Sequence, residues 1–266
     1  MMLTRANGVL LHISSLPSRY GIGDMGAAAY SFADQLKAAG QKYWQLLPLN
    51  PSNPTSGESP YFSSSAFAGN PLLIDLDSLV TEGLISDSDI VIPENLPATD
   101  VDFTRVREFK LGVLYKAYEG FKSKGQNQAF DSFCQQQASW LDDYALFTAI
   151  HKQQGKTSWS EWPIELRDRD QAALASAAEG LSSEIEREKV LQFFFFQQWE
   201  KLKAYCNELG LVTFGDMPIY VSYESADVWL DSKFFKLDEN KRPTGVSGVP
   251  PDYFSATGQL WNNPVY

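Results

Sequence analysis

The chain has 266 residues, 44% of them hydrophobic and 21% charged, which is the composition of a globular protein with one large or two modest domains. Its net charge of −11 argues against nucleic acid and anionic membrane surfaces as partners, because phosphate groups are bound by clustered lysine and arginine. A neutral, polyhydroxylated ligand is compatible with this charge, as are many other ligands.

Residues 1–11 lack the apolar core of a signal peptide, and no apolar run reaches the length of a membrane span. Cys134 and Cys206 fall in helical patterns and predict reduced, semi-buried thiols. We therefore expect a soluble cytoplasmic protein. His12 and His151 are far apart and lack cysteine partners, so we expect no zinc site and interpret His12 as a hydrogen-bonded core residue.

The first fifty residues predict a βαβ unit. Residues 9–13 (VLLHI) predict a buried strand that ends in a Ser/Pro/Gly loop. A helix capped by Asp24 follows and ends at Gly40. Residues 43–49 (YWQLLPL) predict a second buried strand. Units of this kind indicate a parallel sheet or barrel.

Residues 103–209 are almost entirely helical in period, which predicts an inserted helical subdomain. Three helices are expected there. The first carries Val106, Phe109, Val113, Ala117 and Phe121; the second carries Phe130, Phe133, Cys134, Leu141 and Ala145; the third carries Leu191, Phe194, Phe195, Gln198, Leu202, Tyr205 and Leu209, and ends at Gly210.

After the helical region, the alternation of predicted strands and helices resumes. Residues 211–214 (LVTF) predict a strand, residues 219–221 an extended continuation, and residues 226–230 a short further element. Residues 238–266 are rich in Gly and Pro and predict a long loop over a site. Only three or four barrel-type strands can be counted, whereas a closed (β/α)₈ barrel needs eight, so the pattern is that of an unfinished domain.

Asp216 is the most suggestive acidic residue, because it follows a strand and a glycine, where α/β barrels present functional side chains. The alternative, of equal weight, is a carboxylate that braces the following turn. Asp24 is better interpreted as a helix cap, and Asp75 and Asp77 as strand-end or turn residues.

Two loops carry side chains suited to a sugar. Residues 59–70 combine hydroxyls, an aromatic ring and an amide, and residues 248–266 offer Asp252, Tyr253, Gln259, Trp261 and Asn263. Polar groups between aromatic faces match the hydroxyl and C–H surfaces of a pyranose. The alternative is that Phe62, Phe67 and Tyr253 anchor these loops to the core.

Five ordered stretches resemble the 4-α-glucanotransferase (amylomaltase, or disproportionating enzyme) family. They are GVLLHISSLPSRYGIGDMG from Gly8, QLLPL from Gln45, SPYFSSSAFAGNP from Ser59, GDMPIYV from Gly215, and GVPPDYFSATGQLWNNPVY from Gly248. Small departures from the family pattern are Ser18 and Arg19 in place of Gly-Pro, Met217 in place of Leu, and Asn262 in place of Gly.

The resemblance implies a (β/α)₈ (TIM) barrel with a large helical insertion, present here only as its first strands and the insertion. Residues 1–100 would form the first βα units with substrate-lining loops. Residues 101–209 would form the helical insertion, and residues 210–266 the resumed strands with a loop that covers the active site.

The resemblance also implies transfer of α-1,4-glucan segments between maltooligosaccharides by a retaining double displacement, which needs no cofactor. The nucleophilic Asp, the acid/base Glu and a third Asp are expected C-terminal to Tyr266, so residues 1–266 alone are expected to be inactive. An alternative is a non-catalytic α-glucan-binding or inactive fragment.

Substrate-binding residues carry over from the family motifs onto this chain. Ser59 and Tyr61 are expected to line the donor side, and Asp216 to brace a sugar subsite. Gln259 and Trp261 are expected in the mobile loop that covers the glucan, with Asp252 in the same loop. No nucleic acid or membrane partner is implied, and the sequence leaves the oligomeric state open.

Overall fold

A computed structural model describes residues 5–54 and 57–266. Within those residues lie five strands: β1 (Gly8–Leu10), β2 (Tyr43–Gln45), β3 (Val212–Phe214), β4 (Val246–Val249) and β5 (Gln259–Pro264). The helices of the same part of the chain are α1 (Ala27–Ala38), α2 (Leu76–Thr81), α3 (Phe103–Ser123), α4 (Gln128–Gln136), α5 (Leu141–Gln153), α6 (Ile164–Arg167), α7 (Gln171–Gly180), α8 (Ser182–Glu208) and α9 (Ala226–Leu230). None of the helices described is both long enough and apolar enough to cross a membrane.

The chain divides into two compact units, each assembled from three stretches of sequence. The first unit contains Met1–Leu49, Gly69–Gln135 and Val190–Met217. The second unit contains Asn50–Ala68, Gln136–Lys189 and Pro218–Tyr266.

The first unit is built on a parallel sheet in the order β1-β2-β3, which confirms the predicted parallel pairing. Each strand is only three residues long, shorter than predicted. The prediction that the first strand is buried is wrong, because all three residues of β1 are exposed, whereas Trp44 at the centre of β2 is buried. After β1 the chain turns into a short 3₁₀ helix, Ile13–Ser15, because the His12 ring accepts a hydrogen bond from the Ser14 N–H. After β2, Pro48 has no N–H to contribute to a ladder.

Helices α1, α3 and α8 pack their apolar faces into the core of this unit, as their periodicity predicts. The five core positions predicted on α3 are all buried, and α8 contributes Leu191, Phe194 and Leu202. At its C-terminal end Gly210 adopts a left-handed φ of 74°, which confirms it as the stop.

Two glutamines on the buried face of α8 bind main chain instead of packing as apolar residues do. The Gln192 side chain accepts the Gly69 N–H at 2.7 Å and donates to the Gly69 carbonyl at 3.0 Å. Gln198 makes the same pair of bonds with Asp75, at 2.7 and 3.0 Å. Because each amide satisfies both main-chain groups, an irregular segment can be buried against the helix without loss of hydrogen bonds.

The prediction that Asp24 caps α1 is wrong. The N-cap is Gly26, and Asp24 lies two residues earlier, only 5% exposed, with its carboxylate 3.3 Å from the fully buried Lys110 ammonium group. Burial raises the pKa of Asp24, and Lys110 opposes that shift. Burial lowers the pKa of Lys110 in turn, against the attraction of Asp24.

The prediction for Asp75 and Asp77 also needs correction. Asp75 is the N-cap of α2, where it accepts the N–H groups of Asp77 and Ser78 at 3.3 and 2.9 Å. Asp77 lies in the first turn of that helix. The run LLIDLD therefore connects a 3₁₀ helix, Pro71–Leu73, to α2, and its carboxylates stabilise the N-terminus of α2.

The second predicted helix is in fact two. Phe130, Phe133 and Cys134 lie on α4, whereas Leu141 and Ala145 lie on α5. A turn ends α4 near Gln137, whose side chain accepts the indole N–H of Trp140 at 2.8 Å. The apolar spacing continues across this turn, which is why periodicity alone did not reveal it.

The C-terminal segment differs from the predicted loop. Strands β4 and β5 form an antiparallel hairpin within the second unit. Residues 219–221, predicted to be extended, are not part of a strand.

Candidate functional site

The tip of the β4–β5 hairpin is held in shape by its own polar groups. Asp252 Oδ1 accepts the N–H groups of Phe254 and Ser255 at 2.9 and 2.8 Å. The Ser255 hydroxyl donates to the Gly258 carbonyl at 2.6 Å. Gly258 has a φ of 75°, and a Cβ there would lie 2.5 Å from the Val249 carbonyl oxygen, so only glycine fits this turn.

This ordered tip presents two aromatic rings to solvent. Tyr253 is 97% exposed and Phe254 89% exposed, and their rings meet edge to face with centroids 5.6 Å apart. The alternative that Tyr253 anchors the loop to the core is therefore wrong. The sequence reasoning did not single out Phe254, although its position beside Tyr253 between Asp252 and Ser255 was an available signal.

Gln259 and Trp261, both predicted to contact ligand, are brought together at the start of β5. The Trp261 indole N–H donates to Gln259 Oε1 at 3.0 Å. The Trp261 ring lies 6.2 Å from that of Tyr220, measured between centroids. Asn263 differs from the sequence interpretation, because it is 4% exposed and its amide donates to the Val221 carbonyl at 2.9 Å. It is buried and anchors the hairpin to the Val221 main chain.

Ser59 and Tyr61 lie in one turn of the second unit. The Tyr61 N–H donates to the Ser59 hydroxyl at 3.4 Å, and Tyr61 is 39% exposed. Asp252, Gln259 and Trp261 belong to the same unit, so five of the six predicted residues share it. Four of these residues form two hydrogen-bonded pairs, Ser59 with Tyr61 and Gln259 with Trp261.

Asp216 belongs to the first unit and follows β3 at its C-terminal end. Its Oδ1 accepts the Met217 N–H at 2.8 Å, and the residue is exposed. The turn-bracing contact foreseen as an alternative is therefore present. An exposed carboxylate with a braced position can also accept hydroxyl groups of a ligand, so the two interpretations are compatible.

A cleft of about 630 Å³ lies within the second unit. Phe67, which is 59% exposed, stacks on Trp140 at its wall, with ring centroids 6.3 Å apart. Asp227 accepts the Ala66 N–H at 3.0 Å, and burial raises its pKa. Phe67 is thus a partly exposed wall residue, and the alternative that it simply anchors its loop in a core is wrong.

His12 makes hydrogen bonds to main chain on both ring nitrogens. His12 Nε2 lies 3.2 Å from the Pro48 carbonyl oxygen, and burial lowers the pKa of the ring. The predicted hydrogen bonding is confirmed, but His12 is half-buried and is not part of the core. Among residues 5–54 and 57–266, no three His, Cys, Asp or Glu side chains are grouped closely enough to hold a metal ion.

A sequence model of the 4-alpha-glucanotransferase family matches residues 11–266. The chain belongs to this family. It is 46% identical over 262 residues to the 4-alpha-glucanotransferase of Aquifex aeolicus, a match that covers 98% of this chain and 53% of that protein. It is also 46% identical over 269 residues to that of Thermus thermophilus, covering 100% of this chain and 53% of that protein.

Solved structures give the same result. Amylomaltase from Streptococcus agalactiae in complex with acarbose is similar with a TM-score of 0.92 and 42% identity, over 99% of this chain and 53% of that one. Amylomaltase from Corynebacterium glutamicum, at 19% identity and a TM-score of 0.72, supports the fold alone. The chain spans about half the length of the curated relatives it matches.

Proposed function

We propose that this chain is part of a 4-α-glucanotransferase that transfers α-1,4-glucan segments between maltooligosaccharides. The observation that carries the proposal is the family match, which extends over residues 11–266. The similarity to an amylomaltase that binds acarbose supports a carbohydrate ligand. A cytoplasmic location without a cofactor is part of the same proposal.

The proposed fold of the complete enzyme is a (β/α)₈ barrel with a helical insertion. Three parallel strands in the order β1-β2-β3 would be its first strands, and residues 101–209 its insertion. The two cross-strand pairings are in parallel register, as a barrel requires. Residues 210–266 would supply a further strand and the loop over the site.

The proposed chemistry is a retaining double displacement. A carboxylate attacks the anomeric carbon while a carboxylic acid protonates the leaving oxygen, and a second glucan then takes the covalently held segment. We place the nucleophilic Asp, the acid/base Glu and the third Asp C-terminal to Tyr266. Residues 1–266 would then bind glucan without transferring it.

Each predicted site residue has a role in this scheme. Ser59 and Tyr61 would line the donor side, and Asp216 would accept sugar hydroxyls from its braced position. Gln259, Trp261 and Asp252 would belong to the covering loop. The exposed rings of the hairpin tip support this role, because an aromatic face that water wets in the free protein gains by stacking on a pyranose. A closed loop would exclude water and favour transfer over hydrolysis.

Incubation with maltotriose tests the catalytic half of the proposal. The complete gene product is expected to give both longer and shorter maltooligosaccharides, and residues 1–266 none. Products formed by residues 1–266 alone would refute the placement of the carboxylates. If the complete gene product is inactive but still binds maltooligosaccharides by calorimetry, the alternative of a non-catalytic α-glucan-binding protein is correct.

A hairpin variant tests the covering role. Deletion of the tip residues 251–257 in the complete gene product is expected to raise the ratio of hydrolysis to transfer. Val91→Ser is a matched control, since Val91 is an exposed apolar residue, 74% accessible, in the first unit. An unchanged ratio in the deletion variant would show that the hairpin does not cover the reaction.

A further inference from the structure

Strand β5 contains a pronounced bulge. Val246 pairs with Pro264, and Gly248 pairs with Leu260. Between these two pairs, β4 advances by two residues while β5 advances by four. Residues 261–263 therefore oppose a single residue of β4, Ser247. Bulges of this kind change the direction of a strand and of the side chains that it carries.

Asn262 lies at the centre of this bulge with a left-handed φ of 61°. Asparagine adopts this conformation more readily than any other residue except glycine, whereas a β-branched residue is strongly disfavoured there. The side chain of Asn262 is exposed, so its backbone conformation is the property that the bulge uses.

The bulge separates an anchored half of β5 from an exposed half. On one side, Asn263 and Pro264 are both buried, and the Asn263 amide donates to the Val221 carbonyl. On the other side, Gln259 and Leu260 are both exposed. A regular strand would alternate buried and exposed residues, so the change of pattern occurs at Asn262.

Trp261 directly precedes Asn262 in β5. Its indole N–H is held by Gln259, two residues away on the exposed half, and its ring lies against Tyr220. The indole therefore has a defined position, held by one contact within the exposed half of β5 and one with Tyr220.

We propose that Asn262 is a positioning residue whose left-handed backbone conformation aims the Trp261 indole at bound α-glucan. The inference rests on the proposed function for its ligand, but the position of the indole is independent of it. Asn262→Gly and Asn262→Asp keep access to the left-handed region, whereas Asn262→Val opposes it.

The experiment uses the complete gene product labelled with 5-fluorotryptophan, with Trp261→Phe to assign the Trp261 resonance. Asn262→Val is expected to shift that resonance and to raise the Kd for maltoheptaose about tenfold, the change that a left-handed backbone penalty implies. Asn262→Gly and Asn262→Asp are expected to retain the wild-type resonance and affinity within about twofold.

Asn95→Val is the matched control. Asn95 has nearly the same left-handed φ, 57°, but belongs to the first unit. It is expected to leave the Trp261 resonance and the Kd unchanged. An equal loss of affinity in Asn95→Val and Asn262→Val would overturn the proposal, because general destabilisation would then explain both.

Other outcomes separate the inference from the proposed function. An unshifted Trp261 resonance in Asn262→Val overturns the positioning role whatever the ligand. If Asn262→Val does not fold, loss of the resonance position in Asn262→Gly overturns it, since the side chain and not the backbone would be responsible. A shifted resonance combined with unchanged glucan affinity in Trp261→Ala supports the positioning role and refutes the ligand assigned to it.

Discussion

The interior of the first unit buries polar side chains, whereas the tip of the β4–β5 hairpin exposes aromatic ones. In the first unit, polar side chains are buried: Lys110 is fully enclosed, and Gln192 and Gln198 are 0% and 4% exposed. At the hairpin tip, apolar side chains are exposed, with Tyr253 and Phe254 almost completely accessible.

Each arrangement costs free energy and indicates what its residues are for. A buried polar group destabilises the fold unless it is paired, so the partners of Lys110, Gln192 and Gln198 must be kept for the sake of stability. An exposed aromatic ring adds little to the core, but its face stays available for contact with a ligand. Substitutions in the two regions should therefore change different measurements.

The largest effect is expected for Lys110→Met. The Asp24 carboxylate would remain buried without its cation, and loss of one partner of such a pair costs about 3–5 kcal/mol of unfolding free energy. Urea unfolding followed by circular dichroism measures the change. Burial raises the pKa of Asp24 above 3.8, so above that pH the folded variant binds a proton more readily than the unfolded variant does. The unfolding free energy of the variant should therefore fall as the pH rises from 3.8.

The control is the double variant Lys110→Met with Asp24→Asn. It removes both charges but keeps a side-chain oxygen that can accept the Gly26 N–H, which Asp24 now accepts at 3.2 Å. Most of the lost stability should return, since a neutral pair carries no uncompensated charge. If Lys110→Met alone were as stable as the wild type, this ion pair would not be needed to keep the interior of the first unit folded.

The next effect concerns the contact between residue 69 and α8. A Cβ on Gly69 would lie 2.0 Å from the Phe195 ring, while both main-chain groups of Gly69 are held by Gln192. Gly69→Ala must displace the ring or the segment, and overpacking of this kind costs about 1–3 kcal/mol. The measurement is again urea unfolding.

Gly112→Ala is the matched control, since Gly112 lies inside α3 and a Cβ there meets nothing within 4 Å. Alanine is favoured over glycine in a helix interior by about 0.5–1 kcal/mol, so this change should stabilise the protein. Two alanine substitutions in one unit with opposite signs would locate the strict packing at Gly69. Equal effects would contradict it.

The sequence predicted the elements that depend on local periodicity. The faces of α3 and α8, the stop at Gly210 and the parallel pairing of the first strands all follow from apolar spacing and glycine position. It failed where tertiary contacts decide the role of a residue. Asp24 has the chemistry of a cap but is buried against Lys110, which is 86 residues away in sequence.

Titration of His12 makes folding stability depend on pH. Burial lowers the pKa of His12 below its ordinary value of 6.5, and the hydrogen bond to the Pro48 carbonyl offsets only part of that shift. The unfolded state therefore binds more protons between the folded pKa and 6.5. The stability contributed by neutral His12 is fully present above pH 6.5 and is lost as pH falls toward the folded pKa.

His12→Gln tests this dependence. The amide retains a donor and an acceptor but does not titrate, so the difference in stability between wild type and variant should shrink as pH falls from 7 to 5. Urea midpoints measured at several pH values give the comparison. A difference that stays constant with pH would mean that His12 keeps its ordinary pKa in the folded protein.

The candidate site shows the same limit of sequence reasoning as the core. Loops rich in Asp, Gln and Trp were identified from residue type, and the pairing of Gln259 with Trp261 places two of those residues in contact. Asn263 has equally suitable chemistry but is buried, and Phe254 was missed although it is almost fully exposed. Residue type indicates what a side chain can bind, whereas only the hairpin and its bulge determine which side chains can reach a ligand.

The smallest effect on stability is expected at Phe254. Since its ring is 89% exposed and contacts only Tyr253 among the aromatic rings described around it, Phe254→Ser should change the unfolding free energy by no more than about 0.5 kcal/mol. In the complete gene product the same change should weaken maltooligosaccharide binding, measured by calorimetry, because a stacking surface is lost. Phe109→Ser, at a 9% exposed position in α3, should do the reverse, with a large loss of stability and unchanged affinity in the folded fraction. If Phe254→Ser instead lowers stability as Phe109→Ser does, the hairpin tip is a structural element and the contrast between the two regions is wrong.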